Sequence, residues 1–122
     1  ANFVGTLNVL DGKVLDAAAG TVALPAGSVA LPGRLEGLRN GDAVSLALRP
    51  EAISLGERAG VDTKLAGEIV DVSFLGSVIR VRVKVGDSVV SLDTFNNSSA
   101  QPPVVGQRMD IGFAASDLLV LR

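Results

Sequence analysis

Residues 41–55, GDAVSLALRPEAISL, constrain the fold of this chain more than any other stretch. A Gly-Asp turn feeds a strand with Val44, Leu46 and Leu48 on one face. Arg49-Pro50-Glu51 then stops that strand and redirects it into Ile53 and Leu55. Pro50 has no N–H to give to a strand ladder and biases Arg49 toward an extended backbone. The stretch therefore reads as strand, fixed corner, strand, with two opposite charges held at the corner.

The same period of two runs through the rest of the chain. Ile79, Val81, Val83 and Val85 alternate with Arg80, Arg82 and Lys84, the pattern of a half-buried strand. Fourteen glycines punctuate short β-rich runs along the whole length, as in a small barrel or sandwich. Strands are expected near 5–10, 13–18, 21–24, 28–32, 43–49, 53–55, 65–75, 77–85, 88–93, 108–114 and 118–121, with single turns near 35–39 and 115–117. With 122 residues, 48% hydrophobic and 20% charged, there is apolar side chain enough for one packed core or two very small ones that share it. The expected class is all-β: an OB-like barrel made of two small interlocked OB-like halves.

An internal repeat supports two halves. Gly41, Val44, Leu46, Leu48, Ile53 and Leu55 find counterparts in Gly106, Met109, Ile111, Phe113, Leu119 and Leu121. Upstream, Gly5, Leu7, Gly12 and Val14 match Gly67, Ile69, Gly76 and Val78 more loosely. The expected division is 1–58 for the first half, 59–64 for a connector and 65–122 for the second half, together one regulatory domain. The segment 95–106 (FNNSSAQPPVVG) is polar and proline-bearing, hence an exposed loop. The first residue is Ala, and the chain is expected to be an excised piece of a longer protein.

Several function classes are excluded. With no cysteine there is no disulfide framework or thiol chemistry. With no histidine the usual general base and the commonest metal ligand are missing, so none of the ten serines can be activated in a Ser-His manner. The Gly12-Lys13 pair is followed by Val14 and lacks the upstream glycine of a phosphate loop. Asp11, Asp16, Asp62, Glu68, Asp71 and Asp110 are scattered without a calcium-loop pattern and read as turn residues or solvated strand faces. No catalytic, cofactor-binding or metal residues are assigned. A net charge of −2 and a pI near 5.0 weigh against a nucleic-acid partner.

Two features remain as candidate sites. The stripe Arg80, Arg82, Lys84 would hold an oxoanion if it served a ligand, and is otherwise the wet side of an amphipathic strand, guarded by charge against edge pairing. Single-strand binding by such barrels also needs aromatic platforms, and here there is no Trp or Tyr and only Phe3, Phe74, Phe95 and Phe113, of which 74 and 113 fall at core-like positions. The corner Arg49, Pro50, Glu51 serves either to lock the bend through ion pairs with neighbours or to dock a partner subunit.

Leu48-Arg49-Pro50-Glu51, after a Gly-Asp turn and an alternating strand, resembles the RPE signature of the TOBE domain, the C-terminal regulatory part of ATP-binding subunits in bacterial ABC importers. Ala1-Asn2-Phe3-Val4-Gly5 with Asn8 resembles the junction where such subunits leave the nucleotide-binding domain. Leu65 through Gly76 resembles the strand opening the second half, and Gly106 through Leu121, with Asp117, the closing strands. The polyamine, ferric-iron, sulfate and phosphonate branches are the most similar. The resemblance implies a regulatory or dimerisation domain that supports ATP-driven solute uptake. ATP and Mg would bind in a preceding nucleotide-binding domain, not in this chain. Its implied partners are that domain, a second copy of the subunit and, indirectly, the membrane subunits, at the cytoplasmic side of the inner membrane. The full-length subunit would be an ATPase, while this chain is not an enzyme. In the molybdate branch related barrels bind oxoanions, and a free-standing small-oxoanion-binding barrel is the alternative.

Overall fold

The alternating segments form ten strands in a computed structural model that describes residues 7–56, 60–96 and 102–121. They are β1 (Asn8–Asp16), β2 (Thr21–Leu24), β3 (Gly27–Ala30), β4 (Ala43–Leu48), β5 (Ser54–Leu55), β6 (Thr63–Leu75), β7 (Val78–Val85), β8 (Ser88–Phe95), β9 (Arg108–Phe113) and β10 (Leu119–Leu121). Single 3-10 turns at Pro50–Ala52 and Ala115–Asp117 form two corners. All pairings are antiparallel. Sheet A has the order β10-β4-β1-β2-β3 and sheet B the order β5-β9-β6-β7-β8.

These two orders are one pattern used twice, with the last strand exchanged. β5, which follows β4 in sequence, leaves sheet A to pair with β9, and β10, which follows β9, pairs with β4. The fold is OB-like and consists of two interlocked halves. Even the irregularities repeat: the register slips between Val14 and Asp16 in β1, and between Ile69 and Asp71 at the equivalent place in β6. Such bulges bend a strand sharply and let a short sheet curl toward closure.

The ladder register fixes the repeat and corrects the spacing read from sequence. Asn8 faces Leu48 as Thr63 faces Phe113, so Leu10, Gly12 and Val14 correspond to Leu65, Gly67 and Ile69. Gly12 therefore matches Gly67 rather than Gly76. It does not divide two strands either, but lies inside one continuous β1. A Cβ on Gly12 would come within 2.8 Å of the Ala23 carbonyl oxygen and of Val22 Cγ1, and one on Gly67 would run into Val83. Both glycines thus mark close approach of backbones at the tightest curl, not turns. Downstream, the counterparts of Ile53 and Leu55 are Leu118 and Val120, one residue earlier than the apolar spacing suggests. Ile53 and Leu118 are buried, while Leu119 and Leu121 point outward.

One apolar cluster fills both halves, from Leu10, Leu46 and Leu48 on one side to Ile69, Val83, Ile111 and Phe113 on the other. β1 packs on β8 and β3 on β6, so neither half closes its core alone. Phe113 is 1% exposed, whereas Phe74 is 58% exposed. Phe74 has the inward parity of its neighbour Ile79 but lies one residue pair from the end of β6, beyond the reach of the core.

Candidate functional site

The first corner follows directly from its sequence. Arg49 is extended (φ −73°, ψ 145°), as the residue before proline must be, and Pro50 opens the 3-10 turn where its missing N–H costs nothing. Ala52 N–H donates to the Arg49 carbonyl at 3.0 Å and Ile53 N–H to the Pro50 carbonyl at 3.2 Å. Buried Ile53 then anchors the exit. Arg49 and Glu51 are exposed, and neither side chain makes an ion pair or hydrogen bond among the described residues. The bend is locked by proline and backbone, not by charge.

The second corner has the same backbone with different chemistry. Ala114 is extended (φ −91°, ψ 132°), Asp117 N–H donates to the Ala114 carbonyl at 2.9 Å, and Leu118 N–H to the Ala115 carbonyl at 3.1 Å. Ala115 stands where the first corner has Pro50, and its extra N–H donates to Asp62 Oδ1 at 2.9 Å. Asp62 also accepts from the Thr63 hydroxyl at 2.9 Å. From the far side Arg34 donates to the carbonyls of Ala115 (3.0 Å) and Leu118. The two corners meet at the surface, where Arg49, Glu51, Ser116, Asp117 and Leu119 border a groove of about 470 Å³.

The stripe Arg80, Arg82, Lys84 lies on the outward face of β7, away from this groove. Register sets an acid beside each cation. Arg80 faces Asp93 and holds it by two hydrogen bonds of 3.0 and 3.3 Å, Arg82 faces Asp71, and Lys84 faces Glu68. The hydrogen bond and charge of Asp93 push the Arg80 guanidinium further above its ordinary pKa, so it stays charged. Lys84 borders a trough of about 670 Å³ with Lys64 and Arg108, but Glu68 stands in register between Lys84 and Arg108, and Asp110 adds a second acid. Among the described residues, no three side chains of Asp or Glu come together as a metal site. Among the described residues, no helix is long and apolar enough to cross a membrane.

Sequence reasoning did not find the roles of three residues. Asn8 is 6% exposed, and its side-chain amide pairs with the backbone of Ser91 in both directions, each bond 2.8 Å, joining β1 to the edge of β8 like a one-residue strand. Arg34 and Asp62 brace the second corner from segments remote in sequence. Only an apparently misplaced polar residue at a strand start signalled Asn8, and nothing local signalled the other two.

The sequence model of the TOBE domain family matches residues 46–121, which include both corners and the whole of β6 to β10. The chain belongs to the TOBE domain family. This is a family of non-enzymatic binding domains. Among solved structures the chain is similar to the cytoplasmic molybdate-binding protein ModG, in a crystal form with molybdate bound. The TM-score is 0.71 at 15% identity over 98% of each chain. At that identity the likeness is one of fold. No curated protein matches the chain.

Proposed function

We propose that this TOBE domain is the regulatory domain of the ATP-binding subunit of an ABC importer. It would bias a preceding nucleotide-binding domain and the pairing of two subunits, at the cytoplasmic side of the inner membrane, without itself binding ATP. The observation that carries this reading is the Arg49-Pro50-Glu51 corner. Its two charges do no work inside the domain, and the second corner makes the same bend without them. Charges that the fold does not use and that stand on a rigid turn suit recognition of another surface. The first test is the reading frame. A nucleotide-binding domain with a phosphate loop is expected upstream of Ala1 in the same frame; a frame that opens at this domain sinks the proposal.

A second reading, an oxoanion-binding barrel, is favoured by the three cations of the trough, Lys64, Lys84 and Arg108. Against it, Glu68 and Asp110 lie among them. Titration of the domain with molybdate, tungstate, sulfate and phosphate separates the two. Saturable binding, lost in Arg108→Ala, supports this second reading, and flat titrations support the first.

A further inference from the structure

We infer that Asn40-Gly41, in the turn that enters β4, is a site of spontaneous deamidation that the native fold holds closed and that local opening of this turn exposes. The reaction is independent of the proposed function and needs no partner beyond solvent. Of the five asparagines, Asn40 is the one followed by glycine. The Gly41 backbone nitrogen attacks Cγ of Asn40, gives up its proton to solvent and expels the side-chain nitrogen as ammonia, closing a cyclic imide. Water then opens the imide at either carbonyl, leaving aspartate or the chain-lengthened isoaspartate. The balance is amide plus water to carboxylate plus ammonium. Glycine favours the ring closure because no Cβ crowds the attacking nitrogen.

The internal repeat separates what the backbone requires at this pair from what it only tolerates. Gly41 has φ +88° and its counterpart Gly106 φ +93°, the left-handed region that favours glycine. Each donates its N–H to the bulged strand of its own half, Gly41 to the Val14 carbonyl and Gly106 to the Ile69 carbonyl, both at 2.7 Å. The glycine is thus dictated by the fold in both halves. The residue before it is not, since Val105 stands where the first half has Asn40.

In the native turn both reacting groups are engaged. The Gly41 N–H is held by Val14, and Asn40 Oδ1 accepts from the Ala17 N–H at 2.8 Å. Asp42 fastens the same turn: its carboxylate accepts from the Arg39 N–H at 2.8 Å, and its carbonyl accepts from the Val14 N–H at 2.9 Å. Ring closure must break the first two bonds, so the reaction runs through local opening of the turn. Its product disturbs the turn in turn. The Ala18 N–H already donates to the Asp16 carboxylate at 3.0 Å, so aspartate at position 40 would set two carboxylates on neighbouring N–H groups. Isoaspartate adds a carbon to the main chain ahead of Gly41 and draws its N–H away from Val14. The second half, with Val105 before its glycine, is exempt.

The test incubates the whole chain at neutral pH and physiological temperature, folded and in guanidinium chloride. Peptide mass and isoaspartyl methyltransferase labelling follow conversion at Asn40. Expected is conversion in guanidinium at least about tenfold faster than in the folded chain, as for chemistry gated by local opening. Asp42→Ala removes the acceptor of the Arg39 N–H and should speed conversion in the folded chain, with unfolding curves showing that it is still folded. Asn40→Val, the residue of the other half, should show no conversion at this peptide under either condition. Equal rates in guanidinium and in the folded chain, or a folded Asp42→Ala no faster than the parent, overturn the gating by the turn. Absence of conversion at Asn40 in guanidinium overturns the site itself.

Discussion

The two corners of this domain make one bend by two physical routes. At the first, proline presets the turn and removes the N–H that would otherwise need a partner. At the second, alanine leaves that N–H in place, and Asp62 accepts it while Arg34 ties down two carbonyls. A bend built by covalent constraint leaves its neighbouring side chains idle, whereas a bend built by side chains from elsewhere ties them up. That contrast is why Arg49 and Glu51 are available to a partner and Asp62 and Arg34 are not.

The largest effects should fall on what the corners share. Ile53→Ala and Leu118→Ala each empty an anchor position in the common core and should cost about 2–5 kcal/mol. Urea unfolding measures both. Costs within about 1 kcal/mol of each other would fit equivalent anchors, and a large gap would break the equivalence of the corners.

Next comes what only the second corner has. Arg34→Ala strips charge-assisted donors from two carbonyls and should cost about 1.5–3 kcal/mol, while leaving the first corner as it was. Asp62→Ala should cost about 1 kcal/mol, because the Ala115 N–H loses its acceptor at a partly exposed site. The comparison can be sharpened by exchange: Ala115→Pro imports the first route into the second corner and removes the N–H. In that background Asp62→Ala should cost little beyond its bond to Thr63, a coupling read from a double-mutant cycle. Equal costs of Asp62→Ala in both backgrounds would mean that its bond to Ala115 contributes nothing.

Much of this architecture was legible in the chain. Alternation gave the strands because one face of each is buried, and Pro50 gave the first corner because its ring acts locally. The exchange of β5 and β10 was not legible: strands of two or three residues carry no mark of which sheet they join. Gly12 misled for a related reason. A glycine that admits a neighbouring backbone and one that permits a turn are the same letter, and only the partner strand tells them apart. The upstream repeat slipped because the bulges and the unequal hairpins change its spacing from 55 residues in β1 and β6 to 61 in the next two strand pairs and 65 after them. Of the candidate sites, the stripe was visible as a pattern, but the placing of Asp71, Glu68 and Asp93 opposite its cations depends on register across three strands.

The smallest effect on stability is the most informative about function. Arg49→Ala with Glu51→Ala removes two exposed side chains that bond to nothing among the described residues and leaves Pro50 in place, so unfolding of the isolated domain should shift by no more than about 0.5 kcal/mol. A loss of 1 kcal/mol or more would return these charges to a structural role and erase the difference between the corners. On the proposed function, the same double variant in a full-length ATP-binding subunit should leave the fold intact and weaken the coupling between ATP hydrolysis and uptake, measured as solute transported per ATP. The conservative change Arg49→Lys keeps the charge and should retain more of that coupling than alanine does. Arg34→Ala provides the contrast. It should lower stability first and coupling only in proportion to the protein unfolded, because its guanidinium is spent inside the domain.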